Sequence, residues 1–131
     1  MNEFKSTKLF EGYSTAFRQW RAKDSHCRWI HCYALAVKFT FACKQLDERN
    51  WVQDFGGLKN IKAWLKETFD HTLCIAEDDP QLEKFKALEK DDIVDLRILP
   101  AVGCEKFAEY VFNYINEIVR KETKNRVRVL K

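Results

Sequence analysis

A chain of 131 residues, 46% hydrophobic and 33% charged, has the size and composition of one soluble globular domain, residues 1–131, and is too short for two. Its formal charge of +3 is small and both signs are mixed along the sequence, which argues against nucleic acid as a partner and leaves small anions compatible. No apolar run reaches the roughly 20 residues of a membrane span, Met1-Asn2-Glu3-Phe4-Lys5-Ser6 carries no secretory pattern, and five cysteines without a CxxC pair point to a reducing, cytoplasmic setting and not to a disulfide framework or a zinc knuckle.

Residues 9–20 read as a first strand, with Phe10, Tyr13 and Phe17 as bulky members. A polar loop at 21–25 precedes a second strand over 29–43. There the odd positions His31, Tyr33, Leu35, Val37, Phe39 and Phe41 are bulky, and the even ones from Cys32 to Ala42 are small or polar. A strand of that length fits a barrel or a sheet shared between subunits. Residues 44–50 form a polar turn. A strand ends near Trp51-Val52-Gln53, Gly56-Gly57 turns the chain through positive φ, and Asp54 is placed to cap a helix start. Leu58, Ile61, Leu65 and Thr68 then recur at helical spacing beside Trp64. Asp78-Asp79-Pro80 breaks the chain, residues 81–89 suit a short helix, and residues 93–99 read as a strand stopped by Pro100. The clearest helix carries Cys104, Phe107, Ala108, Val111, Phe112, Ile115, Ile118 and Val119 on one stripe, and residues 126–131 form a last strand. The expected architecture is α+β: a four-stranded antiparallel sheet with two helices on one face.

Four groups of residues can carry chemistry. Cys27 lies between His26 and Arg28, cationic neighbours that favour a thiolate; its other reading is one more buried cysteine, as for Cys43, Cys74 and Cys104. Asp70-His71 at the end of a helix can be a base held in one tautomer by a carboxylate, or a histidine satisfying helix-end carbonyls. His31 is a ligand or a packed strand residue. A catalytic zinc takes three protein ligands, and Cys32 points away from His31 on a regular strand, so no complete metal site assembles. Glu105 either complements a helix N-terminus or holds the nitrogen edge of a ligand.

The order Cys27-x-x-x-His31, then Val52-Gln53-Asp54-Phe55-Gly56-Gly57-Leu58-Lys59, then Asp70-His71 resembles the 6-pyruvoyltetrahydropterin synthase and 6-carboxytetrahydropterin synthase family, from about Tyr13 to Val129. The resemblance implies a tunnelling fold, an oligomeric barrel that is usually a hexamer of two stacked trimers with active sites between subunits. It also implies a zinc site, and here this sequence departs from the pattern. The family's Phe-x-Ala-x-His matches Tyr13-Ser14-Thr15-Ala16-Phe17, and its Cys-x-x-x-His-Gly-His matches Cys27 to Tyr33. His31 is therefore kept while Phe17 and Tyr33 replace the other two ligands. The family's Pro-Thr-x-Glu-Asn-x-x-Ala matches Val102 to Ala108 and keeps Glu105 and Ala108. Its pterin-anchoring glutamate would fall about at Lys131.

On that resemblance the implied function is a pterin synthase-like lyase acting on 7,8-dihydroneopterin triphosphate, in tetrahydropterin or queuosine-type synthesis. Cys27, Asp70 and His71 are the implied catalytic residues, Glu105 a substrate-binding one, and His31 the remainder of the zinc site. The alternative is a non-catalytic pterin- or purine-binding member, or a scaffold of the same fold. The kept Cys27, Asp70 and His71 favour the enzyme, and the lost ligands favour its rivals.

Overall fold

The computed structural model describes residues 2–131. Two long strands, β1 (Phe4–Phe17) and β2 (His31–Cys43), pair antiparallel along their whole length, from Phe4 opposite Cys43 to Phe17 opposite His31. The β1 side chains do not alternate cleanly, because Phe10 and Tyr13 are of opposite parity and both are buried. A bulge between Glu11 and Tyr13 resolves this. Gly12 takes φ +90, a conformation open to glycine, and the extra residue returns Tyr13, Thr15 and Phe17 to the face that Phe10 occupies.

That face is covered by α1 (Lys59–Phe69) and α3 (Cys104–Glu122). Ile61, Leu65 and Phe69 from α1, and Phe107, Val111, Ile115 and Val119 from α3, close on Phe17, Phe39 and Phe41. The spacing that marks both helices in the sequence is the spacing of these core residues. The sheet is completed by β3 (Thr72–Ala76), β4 (Leu96–Leu99) and β5 (Val127–Val129), in the order β4-β3-β1-β2-β5.

The expected four-stranded antiparallel sheet is thus corrected to a five-stranded mixed one. β3 runs parallel to both β1 and β4. All five residues of β3 are buried, so they show no alternation to read. Cys74 joins the core under α1 and α3. Leu73 and Ile75 point the other way, to a second cluster with Leu96 and with Phe85 of α2 (Leu82–Lys90). Two helices do lie on one face, and a third covers the opposite face.

Other expected bounds shift for local reasons. β1 begins at Phe4, because residues 4–8 find partners along β2, and it ends at Phe17, where Arg18 leaves the sheet to pair with buried Asp79. Trp51-Val52-Gln53 is a bend and not a strand end. Gly56 and Gly57 lie in a short 3-10 turn (Phe55–Gly57) without positive φ; the positive-φ glycines are Gly12 and Gly103. Asp54 caps that turn, accepting from the Gly56 N–H at 2.9 Å, while α1 starts later, at Lys59. No helix among the described residues is long and apolar enough to cross a membrane.

Both long strands keep open edges. β3 pairs with β1 only at residues 15–17, and β5 pairs with β2 only at residues 41–43. Most of each outer edge therefore lacks a neighbouring strand, which leaves its N–H and C=O groups to water and open to pairing with a strand of another chain.

Candidate functional site

Asp70 ends α1, and His71 follows with φ +57, a left-handed conformation that costs a histidine about 1–2 kcal/mol. β1 holds the corner in place. The Asp70 carboxylate accepts from the Ser14 N–H at 3.0 Å, and the His71 N–H donates to the Ser14 carbonyl at 2.6 Å. The second Asp70 oxygen lies 3.1 Å from His71 Nδ1. The Asp70 side chain is 15% exposed and that of His71 86% exposed, so the carboxylate is set in the fold while the ring projects outward. The Ser14 N–H, and after it His71, hold the Asp70 carboxyl below its ordinary range. With a proton on Nδ1, His71 presents Nε2 as a free base.

Three residues further along β1, about 10 Å away, the positions matched to the zinc ligands meet in space. Phe17 stacks on Tyr33 with ring centroids 4.2 Å apart, and the His31 ring centroid lies 4.5 Å from that of Tyr33. Phe107 closes the stack edge-on against Phe17 at 4.9 Å. His31 Nδ1 is 2.9 Å from the Trp29 carbonyl. The Tyr33 phenol is pushed above its ordinary range, by burial first and then by the Cys27 and Cys104 thiols beside it. These side chains do not fit a zinc centre. Phe17 has no donor atom, Tyr33 keeps its proton, and only His31 offers a nitrogen where three ligands are needed. Among the described residues no group of three His, Cys, Asp or Glu converges.

Cys27 sits in a 3-10 turn (His26–Arg28) capped by Ser25, whose Oγ accepts the Cys27 N–H at 3.1 Å. The Cys27 carbonyl accepts from the Gln19 N–H at 2.8 Å, which ties the turn to the end of β1. Arg28 turns onto the Trp29 ring at 4.1 Å and donates to the Ser25 carbonyl. The cluster therefore gathers Cys27, Tyr33, Phe17 and His31. Among the described residues no hydrogen bond links Cys27 to Asp70 or His71. Glu105 is exposed beside Cys104 and lines a cleft of about 360 Å³ between β2 and α3, with Lys38 and Phe112 on its walls.

A second feature escapes the sequence reading, which took Trp51-Val52-Gln53 as a strand end and residues 54–57 as architecture. At the start of β1, Phe4, Trp51 and Phe55 flank an apolar cleft of about 520 Å³. They are 50%, 45% and 39% exposed, unusual for such large apolar side chains. Ser6 and Gln53 also line the cleft, and Ser6 Oγ and Gln53 Oε1 are buried without a hydrogen-bond partner among the described residues. Buried polar atoms are nearly always paired, by protein or by ordered water, so these two call for a partner other than the described protein atoms. The signal in the sequence was the aromatic pair Trp51 and Phe55; the missing part was Phe4, brought in from far along the chain. This cleft and the Cys27 cluster lie at opposite ends of β1, roughly 40 Å apart at strand rise.

The model of the 6-pyruvoyl tetrahydropterin synthase family matches residues 7–131. The chain belongs to that family. Proteins named 6-carboxy-5,6,7,8-tetrahydropterin synthase are similar to part of it: that of Rickettsia bellii is 35% identical over 60 residues and that of Rickettsia typhi 34% over 59. Those segments cover 45% and 44% of this chain, and 44% and 43% of the relatives, so the matches span less than half of the curated proteins' length. An uncharacterized protein from Wolinella succinogenes has the same fold, with a TM-score of 0.79 over 98% of this chain and 90% of that one, at 18% identity.

The Asp70 link makes a prediction about acid stability. Its folded-state pKa is lowered, so its contribution is complete above the unfolded value of about 4 and is lost as pH falls below that toward the folded value. Asp70→Asn should lower stability at neutral pH and flatten its decline between about pH 5 and 3, as followed by urea denaturation across pH. Parallel pH curves for parent and variant would contradict the link.

Proposed function

We propose that the protein is a pterin synthase-like lyase acting on 7,8-dihydroneopterin triphosphate, with a site completed by a second copy of the chain. The observation that carries this reading is the separation of two half-sites. Cys27 stands at one end of the long hairpin, and the aromatic cleft with its two unpaired polar atoms stands at the other. A planar heterocycle suits a cleft walled by the rings of Phe4, Trp51 and Phe55. The open edges of β1 and β2 supply the means to join copies, and a hexamer of the family's type is the assembly proposed.

In this reading Cys27 removes a proton from the substrate's side chain. His71, oriented by Asp70, exchanges another at Nε2. Glu105 binds a nitrogen edge of the substrate from the cleft beside α3. Nothing in the proposed sequence of proton transfers passes through a metal. The second reading, a pterin- or purine-binding member without turnover, is favoured by one observation: aromatic rings fill the place of two zinc ligands.

Calorimetric binding and turnover, measured together, separate the roles. Cys27→Ala should bind the substrate as the parent does and lose turnover. Trp51→Ala should weaken binding by about 1–3 kcal/mol, the worth of one stacked ring. A fully active Cys27→Ala protein would refute the assigned base. Absent turnover in the parent, with binding intact, would favour the second reading.

The side chains at positions 17, 31 and 33 are mutually adjacent, so the metal question can be tested by restoring ligands. Phe17→His together with Tyr33→His should create tight stoichiometric zinc binding, seen by metal analysis after dialysis. A double variant that still fails to retain zinc would show the site to be misplaced.

A further inference from the structure

The end of β2, the end of α3 and β5 enclose a cleft of about 580 Å³. Lys44, Arg120, Lys124, Arg126 and Arg128 line it, against Glu3 as the one carboxylate. Glu3 is already paired with Arg128 at 2.7 Å. Arg126 is fixed by the carbonyls of Gln45, Trp51 and Val52 at 3.0, 3.4 and 3.0 Å, which orient a guanidinium without neutralising it. Its neighbouring carboxylate, Asp47, is shared with Arg49. Arg120 donates only to the neutral Asn125 side chain, at 3.2 Å. Among the described residues Lys44, Arg120 and Lys124 form no ion pair, and all three are exposed.

A helix C-terminus attracts cations, and α3 ends here. The macrodipole supplies only about half a negative charge, so it offsets a fraction of this excess. The backbone also fixes where one lysine stands. Lys124 and Asn125 adopt φ 52 and 66, and the Asn125 N–H closes the helix onto the Arg120 carbonyl at 2.7 Å.

We propose that this cleft is a binding site for a compact polyphosphate anion of the pyrophosphate or tripolyphosphate class. Guanidinium and ammonium groups converging in a concavity are the chemistry that phosphate oxygens require. Among the described residues no aromatic side chain lines the cleft, so none of them stacks a base there. The site lies across the 45–52 segment from the aromatic cleft; the substrate proposed above carries a triphosphate too, and the Lys44 and Lys124 variants distinguish binding in this cleft from binding of that group elsewhere.

The test is calorimetric titration of the full chain with sodium tripolyphosphate, at low and then at high salt. Saturable binding of one anion per chain, falling steeply with salt, is expected. Lys44→Ala combined with Lys124→Asn should weaken binding roughly tenfold to a hundredfold, asparagine being suited to the left-handed backbone there. Lys84→Ala on α2 should leave it unchanged. Adenosine triphosphate should bind no more tightly than tripolyphosphate. No saturable heat at millimolar tripolyphosphate would overturn the proposal. So would full affinity in the double variant, or an equal loss in Lys84→Ala. Tighter binding of adenosine triphosphate would show that a base is read and would overturn the polyphosphate assignment. Should the double variant lose its circular dichroism, Lys44→Ala alone, at an exposed position after the strand, decides the outcome.

Discussion

The antiparallel pairing of β1 with β2 is the constraint on which the rest depends. Thirteen residue pairs run without a break in partner, interrupted only by the bulge at Gly12. The bulge decides the packing. On a regular strand with no bulge to absorb Gly12, Tyr13, Thr15 and Phe17 would turn to the face opposite Phe10, and the helices would meet two half-cores instead of one. With it, one apolar face runs the length of the hairpin, α1 and α3 close on it, and Ser14 is left facing Asp70 and His71 with both backbone groups engaged.

The same hairpin sets the distance between the chemical features. Cys27 and the Phe17–Tyr33–His31 stack sit where β1 ends and β2 begins. The Phe4–Trp51–Phe55 cleft and the basic cleft sit where β1 begins and β2 ends. A stiff two-stranded ribbon cannot fold back to join its own ends. Chemistry that needs both must recruit a second chain, and the open edges of both strands are where a second chain can pair.

Much of this was legible in the sequence, and the losses have physical causes. The parity of β2 was readable because one face is bulky and the other small. α3 was readable because its stripe repeats at helical spacing. β3 was not, because Thr72–Ala76 is buried on both faces and carries no period. Asp70-His71 was found as a dipeptide, yet its anchoring by Ser14 depends on a contact 56 residues away. The cleft around Trp51 was passed over for the same reason: its walls come from two distant segments, and the unpaired Ser6 and Gln53 atoms exist only once the chain has folded. The resemblance to the pterin synthases located Phe17, His31 and Tyr33 as a set, and the fold does bring them side by side. What occupies that place is an aromatic stack.

The central claim is a site shared between copies of the chain, and complementation tests it most directly. Cys27→Ala should lack turnover of dihydroneopterin triphosphate, and Trp51→Ala should show little at substrate well below saturation. Co-expressed and purified as mixed oligomers, they should regain activity, since random mixing leaves about a quarter of the shared sites with both halves intact. Mixed oligomers no more active than the two separate variants would contradict a site built from two chains.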